Sequence, residues 1–454
     1  MKCRVSLPKT QGQPGSWKLF AQMSPPQYPD FAQQRRFDLL ARRRGRGRLL
    51  LSSLVALAAC RARPQPAAPV APPPASSAAA RSFYADRFSR RATVAEMTAL
   101  GRALFFDASL SASGRMSCAT CHDPRFAFGP PDDGATPAGG PDLKSPGLRA
   151  VPSLRYLQTV PPFEEHHTDE NGADQGPAGG YGWDGRAGST HDQARLPLTS
   201  PLEMANPDVA TVVAKVAGGP LAARFRAAFG DDLFDDPARG ETAVLKCLEV
   251  FQQSPADFYP YRSRYDAALR GQGRLSAAER RGLALFEDPR KGNCARCHPT
   301  QIRNGAFPQL TDYGFNALGV PRNRALAANR DPSHHDLGLC GPLRRDLAAH
   351  FQYCGLFRVP SLRNVALRRA FFHNGVFHTL QQVLDFYVQR DVAPARFYGK
   401  NDRFDDLPPA YRNNVDQDPP FGARPDGTPA LSRDEIRDVI AFLGALTDQD
   451  LAPE

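Results

Sequence analysis

Methionine is missing from the second half of the chain. The five present are Met1, Met23, Met97, Met116 and Met204, and none follows among the 454 residues. A metal centre built beyond position 204 must therefore do without a thioether ligand. Long apolar runs are scarce as well: the one of note, Leu49 to Ala59, is too short to cross a bilayer as a helix. Excess charge is also lacking once the leader is set aside. Residues 1–60 hold 11 Lys and Arg against 2 Asp and Glu, leaving 46 basic and 45 acidic residues elsewhere. The net charge of +10 thus belongs to the leader and gives nucleic-acid binding no support. Strand-type alternation is sparse, whereas apolar residues at helical spacing recur.

The leader has the parts of an export signal. Arg42-Arg43-Arg44-Gly45-Arg46-Gly47-Arg48 precedes the apolar stretch, which ends in Leu57-Ala58-Ala59-Cys60. That ending resembles a bacterial lipobox, in which cleavage before the Cys frees it for lipidation; an ordinary A-x-A-like site with an incidental Cys is the alternative. Residues 1–60 are expected to be a lipoprotein-type signal, Cys60 the lipidation site, and the mature protein periplasmic, touching a membrane only through that anchor. Residues 61–85, with Pro64, Pro66, Pro69, Pro72, Pro73 and Pro74 amid Ala, are expected to form an extended tether without a core.

Helical periodicity marks six segments: Ala92–Phe106, Pro207–Phe229, Glu241–Phe251, Ser276–Phe286, Thr379–Gln389 and Ser432–Leu446. Three of them open with capping boxes, Ser276 with Glu279, Thr379 with Gln382 and Ser432 with Glu435. Gly- and Pro-rich loops separate them, above all 129–182 and 390–430. Three features then occur twice in the same order. Gly101-Arg102-Ala103-Leu104-Phe105 answers Gly282-Leu283-Ala284-Leu285-Phe286, and Val151-Pro152-Ser153-Leu154-Arg155 answers Val359-Pro360-Ser361-Leu362-Arg363. The third pair is Trp183-Asp184-Gly185 and His373-Asn374-Gly375. The expected fold is mainly α, with two cytochrome c-like domains related by duplication at 86–275 and 276–454.

Between the first two repeated features lies, each time, a C-x-x-C-H motif: Cys118-Ala119-Thr120-Cys121-His122 and Cys294-Ala295-Arg296-Cys297-His298. Two thiols in this spacing add to the vinyl groups of a haem, and the adjacent His becomes its proximal iron ligand. A zinc knuckle would want four ligands in one closed site, and each copy here carries a complete haem signature. Two covalent haems are therefore expected, on Cys118 and Cys121 and on Cys294 and Cys297, with His122 and His298 as axial ligands.

The remaining cysteines carry less. Cys340 and Cys354 can bridge in an oxidising compartment, although spacing alone does not establish the geometry. Cys247 reads as a small buried hydrophobe. Counting 14 residues onward from Trp183 and from His373 reaches Pro197 and Tyr387. Proline offers no donor atom, whereas Tyr387 shares a helical face with Leu380, Leu384 and Val388 and could close an iron; a core aromatic beside Phe386 is the alternative.

From about residue 93 to 446 the chain resembles the bacterial dihaem cytochrome c peroxidases, in their MauG-like branch. The resemblance rests on Leu104-Phe105-Phe106-Asp107, Trp183-Asp184-Gly185-Arg186-Ala187, Pro201-Leu202-Glu203-Met204, Arg363-Asn364-Val365-Ala366-Leu367 and Phe371-Phe372-His373-Asn374-Gly375. It implies an N-terminal peroxidatic haem and a C-terminal electron-transfer haem. It also implies Trp183 as the bridge between them, Glu203 as the distal carboxylate that shuttles a proton, Gln193 and Pro197 as distal-pocket residues, and Tyr387 as the axial ligand of the second iron. A buried aromatic and a helix N-terminal carboxylate are the plainer readings of Trp183 and Glu203.

Two departures matter. Reductively activated members block the first iron with a His shortly after its motif, and no His stands between Asp123 and Glu165 here, leaving only His166, His167 and His191 as candidates. The family's interdomain calcium takes an Asn side chain where this chain has Ala150 and carbonyls from the stretch that is Arg368-Arg369-Ala370 here, which weighs against calcium. The leading functional expectation is reduction of hydrogen peroxide with electrons from a small cytochrome c or cupredoxin. Oxidation of a partner protein or other large substrate is the alternative within enzymes, and a non-catalytic electron relay the alternative outside them.

Overall fold

The computed structural model describes residue 83 and residues 88–168, 171–399, 402–422 and 427–451. The expected signal, Cys60 and the tether, apart from Phe83, lie outside the described residues. Eight described helices of eight or more residues carry the fold: α1 (Val94–Phe105), α2 (Thr190–Thr199), α3 (Val209–Gly218), α4 (Ala222–Phe229), α5 (Pro237–Gln252), α6 (Ala277–Glu287), α7 (Leu380–Gln389) and α8 (Arg433–Gly444). Strands are minimal. The described ones are two antiparallel pairs of two residues each, Ala138–Gly139 with Ser145–Pro146 and Phe315–Asn316 with Phe357–Arg358. No described helix is long and apolar enough to cross a membrane.

The three expected capping boxes form, and a fourth joins them where Thr93 caps α1 with Glu96. The segment expected as one helix over 207–229 is two, α3 and α4, because Gly218-Gly219-Pro220 interrupts it and Pro lacks the N–H a continuing helix needs. Helix α2 had no expected counterpart, since Pro197 inside it argues against a helix. It forms with Ser189 as N-cap, accepting from Asp192 N, and buries Thr190, His191, Ala194 and Leu198.

The two largest hydrophobic cores of the described residues are aromatic-rich. Residues Met97 to Phe258 build one, around Phe105, Phe128, Phe225 and Phe251; residues Tyr265 to Leu446 build the other, around Phe286, Val439 and Phe442. The change of core falls between Phe258 and Tyr265, ahead of the junction between 86–275 and 276–454 expected from the repeat. Tyr265 is drawn into the later core by edge-on packing against Phe442 and by donating its hydroxyl to the Thr300 carbonyl.

The repeated sequence features do the same work in both halves. Helix α1 crosses α5 and α6 crosses α8 at a glycine: a Cβ at Gly101 would fall onto the Cys247 carbonyl oxygen, and one at Gly282 onto that of Asp438. Gly282→Ala must therefore push α6 off α8, and overpacking of this kind outweighs the roughly 1 kcal/mol that alanine gains over glycine within a helix. We expect a net loss of about 2 kcal/mol, seen as a lower thermal midpoint of the haem-loaded protein. Gly444→Ala, where a Cβ meets nothing within 4 Å, should leave the midpoint in place.

The pentapeptides cross between the halves. Arg155 binds Asp448 (2.9 Å) and Asp450 (2.7 Å) near the C-terminus, and Tyr156 donates its hydroxyl to Asp448 at 2.7 Å. Arg363 grips Asp266 through two bonds of 3.0 Å. The residues just ahead of the two pentapeptides reach over reciprocally, Ala150 N donating to His373 O (2.7 Å) and Arg358 N to Trp183 O (2.9 Å). A disulfide joins Cys340 to Cys354 within the loop that supplies Asp336, Arg344 and Arg358 to this seam.

Candidate functional site

Each C-x-x-C-H motif sits in a short turn whose histidine is fixed from behind. His122 Nδ1 lies 2.9 Å from the Phe128 carbonyl, and His298 Nδ1 2.7 Å from that of Leu310. A carbonyl can only accept, so Nδ1 carries the proton and Nε2 is left bare to ligate a metal. Burial pushes both imidazoles down to about 4, so they are neutral at physiological pH. The pentapeptides steady those carbonyls: Leu154 N also donates to Phe128 O and Leu362 N to Leu310 O. Ser153 Oγ donates to Ala127 O at 2.5 Å and Ser361 Oγ to Gln309 O at 2.7 Å. The V-P-S-L-R signature thus backs the carbonyl that holds the histidine of each motif.

The second motif opens on a large cavity whose wall includes Cys294, Cys297, His298 and Tyr387, together with Leu380, Val383, Leu384, Val388 and Leu443. Two thiols, one imidazole of fixed tautomer and an apolar surround fit the edge, iron and faces of a haem. Gly292 keeps the approach to the first thiol open, since a Cβ there would stand 3.2 Å from Cys294 Sγ and 2.6 Å from Leu285 O. Tyr387 leaves α7 toward this cavity and stacks on Phe421, with ring centroids 5.0 Å apart. Burial and the neighbouring Cys294 and Cys297 sulfurs raise its proton affinity far above the usual phenol range. Its hydroxyl has no hydrogen-bond partner among the described residues.

The expected distal residues lie on α2 and in the turn after it. Gln193 and Pro197 are one helical turn apart on α2, half-buried, off the face that buries His191, Ala194 and Leu198. Glu203 follows in the turn, its backbone held at both ends: Glu203 N donates to Ser200 O (3.0 Å) and Gly140 N to Glu203 O (2.8 Å). Gly139 is required beside it, because a Cβ there would overlap the Leu202 carbonyl. Water reaches the carboxyl, yet the surrounding protein raises its proton affinity while Arg186 pulls the other way. Burial raises the Cys118 and Cys121 thiols, and the Glu203 charge adds to the rise at both. Glu203 does not cap a helix; Asp208 caps α3, accepting from Thr211 N at 2.7 Å.

Trp183 reaches the wall of the second cavity. Its Nε1 donates to Ala150 O at 2.7 Å, it is 9% exposed, and it lines the second cavity although it belongs to the first half of the chain. The three candidate blocking histidines are engaged elsewhere. His191 bonds Glu249 (3.0 Å) under the ring of Phe83, His166 bonds Asp174 (2.9 Å) and His167 lies 3.2 Å from Glu164. Arg368 fills the seam where calcium was weighed, donating to the carbonyls of Val151 (3.0 Å) and Ala370 (3.2 Å).

Sequence reasoning missed the ionic chain that fixes the Trp183 turn. Arg149 binds Asp336 with two bonds of 2.6 and 2.7 Å and Asp184 at 2.7 Å, and Arg186 binds the same Asp184 oxygen at 2.9 Å. Asp184 lay in a repeated triplet, which was the available signal; Arg149 and Asp336 are 187 residues apart and gave none.

Residues 95–274 match the family described as di-haem cytochrome c peroxidase. The methylamine utilization protein MauG of Paracoccus denitrificans is 33% identical over 375 residues, covering 79% of this chain and 90% of that protein. The cytochrome c551 peroxidase of Nitrosomonas europaea is 28% identical, covering 64% of this chain and 72% of its own length. Among solved structures, the diheme peroxidase BthA from Burkholderia thailandensis aligns with a TM-score of 0.70 at 40% identity, over 78% of this chain and 86% of that one.

Proposed function

The chain belongs to the dihaem cytochrome c peroxidase family, among its MauG-like members, and from that premise we propose that it is a peroxide-reducing enzyme with two unequal haem sites. Membership makes it an oxidoreductase carrying haem. The finer assignments are our reading: thioether attachment at Cys118 and Cys121 and at Cys294 and Cys297, proximal ligation by His122 and His298, closure of the second iron by Tyr387, and a first iron open on the Glu203 side. The observation that carries the asymmetry is the Tyr387 hydroxyl, which faces the cavity of His298 without a protein partner.

When bound, the haems supply the electrons that split the peroxide bond. The protein's own part is proton handling and positioning. Glu203 takes the proton from the oxygen that approaches the first site and returns it to the departing oxygen, which leaves as water. Gln193 and Pro197 shape the space in which this happens, and Trp183, locked by Ala150 O and Arg358 N, lies on the path between the sites. The parallel histidine, glycine and pentapeptide contacts support descent of the two halves from one duplicated unit. The Arg-rich leader and Cys60 support a periplasmic, lipid-anchored protein.

Electrons from a small cytochrome c or cupredoxin would complete a peroxidase cycle. The 33% identity to a MauG protein, together with Tyr387, favours a second reading in which a partner protein or other large substrate is oxidised instead. Adding one equivalent of peroxide to the diferric protein separates them. Rapid return to the resting spectrum only when a reduced small redox protein is present supports the peroxidase. A doubly oxidised protein that persists for minutes without a donor supports the MauG-like mode, and no reaction with peroxide removes both.

A further inference from the structure

The wall of the second cavity carries more positive charge than the protein neutralises. Five arginines line it, Arg155, Arg296, Arg358, Arg363 and Arg368. Three are matched to carboxylates: Arg155 to Asp448 and Asp450, Arg296 to Asp416 (2.7 Å), and Arg363 to Asp266. The acids in the wall are matched in turn, Asp336 to Arg149 and Asp406 to Arg322 (2.8 Å). Arg358 and Arg368 are left over. Arg358 is 7% exposed, and its side chain donates from Nε to the Gly182 carbonyl at 3.0 Å. Arg368 meets the carbonyls of Val151 and Ala370 alone. Among the described residues neither has a carboxylate partner.

A buried guanidinium without a counter-charge is costly, and proteins keep one where something else supplies the anion. Burial already weakens the hold of both groups on their protons, Arg368 down to about 10. Two unmatched cations in one cavity correspond in number to the two propionate carboxylates of one haem. We propose that Arg358 and Arg368 bind those two carboxylates, anchoring the haem of the second site by its polar edge while Cys294 and Cys297 hold its vinyl edge. The proposal rests on the reading that a haem occupies this cavity. It also gives the Arg358 segment a double duty: the same residue pins Trp183 O through its backbone N, so the haem edge and the bridging indole share one support.

The test is spectroelectrochemical titration of both haems in the full haem-loaded protein. A cation close to a haem disfavours the ferric iron, so Arg358→Gln and Arg368→Gln should each lower the potential of the second, Tyr387-side haem. The expected change is at least tenfold in the ferrous-to-ferric ratio at fixed applied potential, about 59 mV for one electron. Arg358→Lys keeps the charge and should stay within threefold of the parent. Arg290→Gln, which removes an exposed charge, should change nothing. Either Gln variant decides the matter if the other fails to load haem, and Arg358→Lys decides it if both fail: parent-like potential supports the pairing, a tenfold fall refutes it. Unchanged potentials at both haems, or a shift confined to the first haem, overturn the proposal. Absence of a second c-type haem in the parent protein would instead remove the reading beneath it.

Discussion

Replacing Glu203 by Gln slows the reaction of the diferric protein with hydrogen peroxide by about 10²–10⁴-fold, the range a positioned general base contributes, with both haems still attached. The size follows from what the carboxylate is asked to do. Without it, the proton on the attacking oxygen has no acceptor within the pocket and must leave through water, and the departing oxygen leaves without a proton. Gln preserves shape and hydrogen bonding but cannot take the proton. The backbone of Glu203 is held by Ser200 O and Gly140 N rather than by its side chain, so the substitution should not move the turn. Stopped-flow mixing with peroxide reads the rate, and a variant as fast as the parent removes Glu203 from the chemistry.

The same group sets a pH dependence whose sign is fixed. The surrounding protein raises the Glu203 carboxyl and Arg186 lowers it, with the former the larger influence. The base form is the active one, so the rate falls as pH drops through this raised value, at a pH above the ordinary carboxylate range near 4.3. Arg186→Gln removes the lowering influence and moves the acid limb to still higher pH. Glu203→Gln abolishes the limb.

The second large effect is expected at Tyr387. Tyr387→Phe removes the oxygen proposed to close the second iron and leaves only an apolar ring against Phe421, so the second site should open to small ligands. Tyr387→Met instead supplies the thioether that the chain lacks beyond residue 204. Because a neutral sulfur favours the ferrous iron, the potential of that haem should rise by at least about 0.1 V, within the roughly 0.8 V that axial ligands span. The doubly oxidised protein should then decay faster after peroxide. Spectroelectrochemistry and the lifetime after peroxide check these outcomes, and a low-spin spectrum and potential unmoved in both variants would show that Tyr387 is a packing residue.

What the sequence discloses and what it hides divide along physical lines. The C-x-x-C-H spacings and the three capping boxes are local constraints, and local constraints leave local signatures. The V-P-S-L-R repeat was visible as a pattern, but its purpose, backing the carbonyls of Phe128 and Leu310, is tertiary. Helix α2 was hidden because Pro197 lies within it, and there the packing of Ala194 and Leu198 overrides propensity. The Gly139–Gly140 hairpin against Glu203, the Arg149–Asp336 pair and the unmatched Arg358 depend on residues far apart in the chain, and no spacing rule reaches them. Glu203 was named through family likeness, and Tyr387 first through the internal repeat and its helical face; their surroundings are what the fold adds.

The asymmetry of the two sites is the centre of this account, and carbon monoxide reads it directly. Titrating the fully reduced protein with carbon monoxide, while following the Soret bands, should show one equivalent bound per two haems, at the His122 site, and two equivalents in Tyr387→Phe. Two equivalents in the parent protein would contradict closure of the second iron by Tyr387, and none would contradict an open first iron.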